Sequence, residues 1–431
     1  MKKFSTILCM GLMLMAVSSL TAQDKKSKVK VWSYQEDLEA YIDAGNFGYR
    51  ATHPDVDVTY VSIPTPEFPY KLDEVLKTGN GAPDVICLED SFVRRYVELG
   101  CLLPLDDLYK EVKAKMSDYP MKVGSYDGHV YAMSWQVYPG AMFYRRSLAK
   151  KYWGTDDPKE VQKKVASFDT LLKTARELKK KSNGKCRMLS TTEDLFRPYL
   201  GARKKPWVVD DKLYIDPVME KYMDVCKIFY DEDLDCFASQ WDELWYASMN
   251  DDVVDDKGKP VEVMCYFLAS WGLPYILGTE AQDTAGDWAM CAGPSPYYWG
   301  GNWIAAYKDT KNPEAAKEMI MYIATNDEFN KNVALTTGEI VGNLNVQKQI
   351  KKLFSSPYLS GQNHYELFCD VSKKINGSLA QATDMWIESM FLEALEDYVH
   401  GKKTKKQALN DFRSEVYKQF GYERLRKKVF Y

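Results

Sequence analysis

The sequence predicts an α/β protein built as two lobes, and three observations carry that expectation. Strand-like and helix-like stretches alternate from residue 28 to residue 100. The same alternation restarts after residue 128. About 400 residues remain once an N-terminal leader is set aside, more than one hydrophobic core usually covers.

The leader comes first in chain order. Met1, Lys2 and Lys3 precede an apolar run from Ile7 to Leu20, with Ala22 as the small residue at the cut. A positive start, a short apolar stretch and a small residue describe a secretory signal peptide over residues 1–22, too short to span a bilayer. Cys9 sits inside the apolar run and is a poor lipid-attachment cysteine. No later segment reads as a membrane helix, so an exported chain is expected.

KVKVWSY (28–34) alternates apolar and polar residues and reads as a strand ending in a loop. A helix follows to about Arg50, His53-Pro54 breaks it, and VDVTYVSI (56–63) is a second strand. After another helix, GNGAPDVICL delivers a third strand at 84–88, and SFVRRYVELG (91–100) is a helix closed by Gly100. GHVYAMSW (128–135) and GAMFYRR (140–146) are strand-like on either side of Pro139. Ser167 caps a helix that buries Leu171, Leu172, Ala175 and Leu178. CRMLST (186–191), VEVMCYF (261–267) and WAMCA (288–292) read as further strands. Asn312 and Pro313 start a helix striped by Ala315, Ala316, Met319, Ile320 and Ile323. The C-terminal part is helical: MWIESMFLEALEDYV closes at Gly401, and Thr404 with Gln407 forms a capping box for the next helix.

Losing Lys2 and Lys3 takes the formal net charge from −4 to −6, which argues against a nucleic-acid or anionic-membrane partner. The basic RLRKK (424–428) reads as a solvated helix end. Past Cys9, eight cysteines remain, and their even number permits disulfides without giving a pairing. Cys87, inside DVICL, reads as a buried free thiol. No C-x-x-C pair is present, which disfavours structural zinc and thioredoxin-like redox chemistry.

Catalytic and metal motifs are scarce. The four histidines, His53, His129, His364 and His400, have no metal-ligand spacing, and H-E-x-x-H, G-x-S-x-G, the Walker loop and the dinucleotide glycine fingerprint do not occur. DEDLD (231–235) and DDVVDD (251–256) lack the alternating ligand pattern of a calcium loop and read as solvated loops. No cofactor and no metal are expected. A glycosidase needs only two carboxylates, so counting acids leaves that chemistry open.

The aromatic residues are unusual in number and place: 11 Trp and 30 Tyr, several where strands give way to loops. Ligands of open α/β sheets bind beyond the carboxyl ends of strands. Sugars offer apolar C–H faces and a rim of hydroxyls, so their sites combine flat rings with carboxylates, amides and Arg. For any single ring, core packing competes with ligand contact; recurrence at strand ends favours the group.

GNGAPDVICLED (79–90), CLLPLDDL (101–108), YDGHVYAMSWQVYPGAMFYRRSLAKKYWG (126–154), SFDTLLKTARELK (167–179), GPSPYYWGGNWIAAYKDTKNPEAAKEMIMYIATNDE (293–328), TTGEIVGNL (336–344) and HGKKTKKQALNDF (400–412) occur in the order and spacing of a known family. Together they resemble the extracellular solute-binding proteins of family 1, the sugar-binding components of ABC transporters, over nearly the whole mature chain. Ser134 stands where that family often has Pro, Ile340-Val341 replaces the Pro after TTGE, and Arg145 replaces an Asn. Residues 195–260 match weakly, and no lipobox is present.

The resemblance implies the periplasmic binding protein type II fold: two α/β lobes joined by a multi-strand hinge, with a ligand cleft between them. The lobes would comprise 23–137 plus 303–347 and 138–302 plus 348–431. By position, ligand contacts would be Ser33, Tyr34 and Glu36 after the first strand, and Glu89 and Asp90 after PDV. Trp135 and Tyr138 would lie at the first crossover; Glu193, Asp194, Arg197 and Trp271 would come from the second lobe. SPYYWGGNW (295–303) would supply Tyr298, Trp299, Asn302 and Trp303, with Tyr297 packed away, and TTGE would supply Glu339. Gln136, Gly140, Gly300 and Gly301 would serve the hinge, with a third crossover near 343–351. The implied role is a monomeric periplasmic protein that closes on a carbohydrate, most naturally an oligosaccharide, and docks on the permease subunits of an ABC importer. Rival readings are a same-fold binder of a polyamine or ferric ion, a secreted carbohydrate-active enzyme, and a sugar sensor.

Overall fold

The computed structural model describes residues 26–254 and 258–421. The signal peptide, the basic tail at 424–428 and the end of the acidic run 251–256 lie outside the described residues.

Two sheets organise the chain. In the first, the strand order is Val56–Ser62, Ser27–Ser33, Val85–Glu89, Asn302–Ala306, Ala132–Met133. The first three run parallel, in register from Ser27↔Val56 to Ser33↔Ser62 and at Val31↔Val85. Helices Asp37–Ile42, Phe68–Thr78 and Asp90–Leu99 follow or link these strands, as the alternating sequence demands. Asn302–Ala306 returns from far along the chain and inserts antiparallel between Val85–Glu89 and Ala132–Met133.

The second sheet is antiparallel, with Gly140–Arg145 between Cys265–Ala269 and Trp288–Cys291. Every residue of these three strands is buried, which explains why they read as unbroken apolar runs. Its packing partners include the helices Phe168–Lys181, Pro217–Asp231, Asp384–Val399 and Lys405–Phe420, with Trp207, Tyr222 and Phe391 at the centre. Two expected strands prove shorter. VEVMCYF splits into Glu262–Val263 and Cys265–Ala269, the former pairing with only Cys186–Arg187. GHVYAMSW likewise divides into His129–Val130 and Ala132–Met133.

Capping follows the sequence with one exception. Ser167 accepts from the Thr170 amide, Gly100 adopts φ +73°, and the Thr404/Gln407 box is complete. Asn312 does not cap its helix; its amide instead donates to Asp84 Oδ1 at 3.3 Å. The eight described cysteines are free thiols, and Cys87 is buried in the first sheet.

Three segments cross between the sheets, and they pair with one another. The middle one, 134–139, continues from Ala132–Met133 into Gly140–Arg145. On one side Pro139 bridges Tyr298, and the Gly140 amide donates to Tyr297 O at 2.8 Å. On the other side Gln136 bridges Val341, and the Gly342 amide donates to Trp135 O at 2.6 Å. The third passage therefore runs through 340–343, slightly N-terminal to the expected stretch. Gly140 is dictated by this pairing, because a Cβ there would stand 2.0 Å from the Tyr297 ring. At Gly301, where φ is +153°, a Cβ would meet the Trp303 ring at 2.4 Å.

Candidate functional site

A buried polar chain forms the floor where the three segments meet the first sheet. The Tyr34 hydroxyl donates to Asn302 Oδ1. Asn302 Nδ2 donates to the Tyr138 hydroxyl at 2.7 Å and to Gln136 Oε1 at 3.1 Å, while the Tyr138 hydroxyl donates to Gln136 Oε1 at 2.6 Å. Each group finds a partner within the chain, so the network ties the first crossing segment to the first sheet.

Beside this floor opens a cavity of about 500 Å³. Its apolar wall is made by Trp241 and Trp299, with Trp271 packed behind them. Trp241 lies 6.0 Å from Trp271, nearly parallel at 25°, and meets Trp299 edge-on at 5.4 Å. Trp271 and Trp299 are 5.0 Å apart, and Trp271 Nε1 donates to Trp299 O at 2.8 Å, which ties the Trp271 ring to the Trp299 backbone. Trp241 remains 44 % exposed, a large apolar surface left uncovered.

The opposing wall is charged. Asp90 and Arg94 come from the first turns of helix Asp90–Leu99, and Asp384 and Glu388 lie one turn apart on helix Asp384–Val399. Between them stand Glu193, Arg197 and Arg203. Glu388 lies 3.8 Å from Arg197 and 4.0 Å from Arg203, and the Arg197 guanidinium sits 5.7 Å from the Trp299 ring centre. Burial holds the Asp90 carboxyl well above the usual carboxylate range, reinforced by Glu89 and opposed by Arg197. Burial also raises Asp384, against the pull of Arg203. Asp384 Oδ1 and Arg203 Nη1 are buried without a hydrogen-bond partner among the described residues. An acceptor and a donor are thus left unspent at the wall, as a hydroxyl-bearing ligand would require.

The structure sorts the residues expected from the sequence. Asp90, Glu193, Arg197, Tyr298 and Trp299 line the cavity, with Trp271 behind Trp299. Glu89 caps the helix at the cavity edge by accepting from the Ser91 amide at 2.7 Å. Tyr34, Tyr138, Asn302 and Gln136 form the buried network and do not line the cavity, while Gly140, Gly300 and Gly301 lie in or beside the paired crossing segments. Glu36 is exposed and outside the cavity lining.

Four further residues are buried away from the cavity lining. Ser33 is fully buried and accepts from the Gln35 amide, so it shapes the turn. Asp194, 2 % exposed, accepts from Gln240 Nε2 and Trp245 Nε1 and holds a loop. Trp135 is sealed in the core of the first sheet. Trp303 is sealed as well, its Nε1 donating to Pro120 O at 2.8 Å. Tyr297 is packed as expected, its hydroxyl 3.1 Å from both Ala141 O and Leu268 O.

Arg94, Arg203, Trp241, Asp384 and Glu388 escaped the sequence reading. Asp384 and Glu388 are spaced i,i+4 on a helix that also buries Ile387 and Phe391, so one turn of pattern was the available signal.

Glu339 occupies the start of the third crossing segment, 8 % exposed, with Oε2 unpartnered among the described residues. Burial, then Asp37, pushes its carboxyl up to about 7; Tyr34, Tyr41, Tyr138 and Tyr275 share this environment. A raised carboxyl binds its proton more tightly in the folded chain. The stability it lends is therefore complete below 4.5 and is lost as pH climbs through about 7. Glu339→Gln is expected to remove that loss, up to about 3 kcal/mol. The variant should melt above the parent at pH 8, with the gap closing toward pH 5, as followed by calorimetry.

Two α/β units, a hinge of three paired segments and a cavity beside it define the class: this is the type II periplasmic binding protein fold. The chain belongs to the family of bacterial extracellular solute-binding proteins, whose model matches residues 47–356. A solved extracellular solute-binding protein of family 1 superposes with a TM-score of 0.78 at 17% identity, covering 90% of this chain and 98% of the other. The GacH receptor of Streptomyces glaucescens GLA.O, solved unliganded and in complex with acarbose, gives a TM-score of 0.67 at 19% identity, covering 91% and 98%. A maltotriose-binding protein of Pyrococcus abyssi (strain GE5 / Orsay) is 25% identical over 147 residues, 33% of this chain and 32% of that relative's length. No helix among the described residues is long and apolar enough to cross a membrane.

Proposed function

We propose that this protein captures a carbohydrate, preferably an oligosaccharide, by hinge closure and delivers it to an ABC importer. The observation that carries the reading is the cavity wall of Trp241 and Trp299, backed by Trp271, in a lining that also holds Asp384 and Arg203 with unpaired polar atoms. Flat rings meet the C–H faces of a sugar while carboxylates and guanidiniums meet its hydroxyls. The named ligands of the maltotriose-binding relative and of the GacH complex support the same class.

In this reading residues 23–137 plus 303–347 move against 138–302 plus 348–431 as the three crossing segments bend. The protein acts as a monomer in the periplasm after cleavage near Ala22, binds without chemical change and meets its permease closed. A paired-tyrosine iron site is disfavoured, because the Tyr297 hydroxyl is buried against two carbonyls.

Thermal-shift measurements against linear oligosaccharides, spermidine and ferric citrate test the proposal. A ligand at a hundred times its Kd adds about 2.7 kcal/mol to folding. An oligosaccharide should raise the melting temperature and be recovered intact after prolonged incubation. A shift with spermidine or iron alone, or hydrolysis of the sugar, overturns it.

A further inference from the structure

A second cavity of about 530 Å³ lies in the region around helices Pro217–Asp231 and Asp384–Val399, outside the site described above. It shares a partition with the first cavity, made by Glu193, Phe196, Gln240 and Leu392. The partition is held by its own bonds: the Gln240 backbone amide donates to Glu193 Oε2 at 3.1 Å, and Gln240 Nε2 donates to Asp194 Oδ1 at 2.9 Å.

One loop serves both cavities. Phe237, Ala238 and Ser239 line the second, Gln240 lines both, and Trp241 lines the first. Phe237 and Trp241 are 50 % and 44 % exposed, and both hold left-handed backbone, at φ +55° and +75°. Bulky residues rarely adopt that conformation, and such strain concentrates at functional positions. The Phe237 ring stands edge-on to Tyr230 at 5.4 Å, and Tyr230 in turn meets His400 at 4.9 Å, which makes a second aromatic surface. A polar group accompanies it. Asp235 is 3 % exposed; its Oδ2 accepts from the Thr192 amide at 3.1 Å, while Oδ1 is buried without a hydrogen-bond partner among the described residues.

An exposed ring platform beside an unspent carboxylate repeats, on the far side of the partition, the chemistry of the first cavity. We infer that the second cavity takes a further glycosyl unit, distal or branching, of the same oligosaccharide that stacks on the tryptophan wall. The inference rests on the carbohydrate reading above and adds to it a ligand long enough to pass over the Glu193–Gln240 partition.

Calorimetric titration of the mature protein with two ladders, maltose to maltoheptaose and cellobiose to cellohexaose, tests it. In the ladder that binds, affinity should rise with chain length and then level off. Phe237→Ala should erase that rise, weakening the longest member about tenfold while leaving the shortest within twofold. Asp235→Asn, which keeps the shape of the side chain, should act in the same direction, and unchanged melting temperatures would show both variants folded. Affinity independent of length, or a Phe237→Ala loss equal for every member, overturns the second site and spares the carbohydrate reading. No binding by either ladder, with a melting shift from spermidine, removes both.

Discussion

Trp303→Ala is expected to cost the fold about 3–5 kcal/mol and to leave the affinity of the surviving folded protein unchanged. The ring is 1 % exposed and packs in one cluster with Trp32, Phe68, Phe92 and Tyr96. Gly301 and Gly124 approach it so closely that a Cβ would stand 2.4 and 3.3 Å from ring atoms. Truncation therefore opens a cavity in a layer that cannot collapse without moving the hinge strand. It also removes the Trp303 Nε1 hydrogen bond to the Pro120 carbonyl, which keeps only the Gly124 amide as donor. Urea unfolding should show a lower midpoint with the same slope. Trp303→Phe should recover most of the volume and still lack the hydrogen bond, leaving a residual cost of about 1 kcal/mol. A weaker ligand with an unchanged midpoint would return Trp303 to the cleft.

That outcome turns on strand register, which is where the sequence reading stopped. SPYYWGGNW is a glycine-centred segment running into a strand, and its pairing with 138–140 falls at 297–299, just before the glycine pair. Successive side chains of a strand face opposite ways. Asn302 meets Tyr138 and Gln136 at the floor, so its neighbour Trp303 turns into the core. The same alternation separates Gln136, in the floor network, from Trp135, in the core. A string of rings beside polar residues carries no mark of its register, so each ring needed the structure.

The charged wall was hidden for a different reason. Glu388 meets Arg197 and Arg203 across almost half the chain, a contact that local periodicity does not encode. Trp241 sits in the stretch 195–260, where the family resemblance is weakest, and its exposure depends on an unusual backbone angle. The elements with strong local patterns were legible: the parallel strands, the Gly100 cap and the Thr404/Gln407 box. What lay beyond reading was produced by packing between elements distant in sequence.

Trp299→Ala should do the opposite of Trp303→Ala, weakening ligand binding by about 1–3 kcal/mol with little change in melting temperature. Trp299 is half-buried, and its structural hydrogen bonds use the backbone. Its amide donates to Tyr138 O at 3.2 Å, and its carbonyl accepts from Trp271 Nε1 at 2.8 Å. Alanine keeps both, so the hinge pairing survives while the stacking face and the contact with the Arg197 guanidinium are lost. Because Trp241 touches Trp299 at 5.4 Å, the double substitution Trp241→Ala/Trp299→Ala should cost less than the sum of the single losses. Titration of the single and double variants with an oligosaccharide that shifts the parent's melting temperature measures that coupling. Affinity insensitive to both substitutions would mean that the tryptophan wall packs only against itself, and the ligand would then have to be sought along the charged wall of Asp90, Asp384 and Glu388.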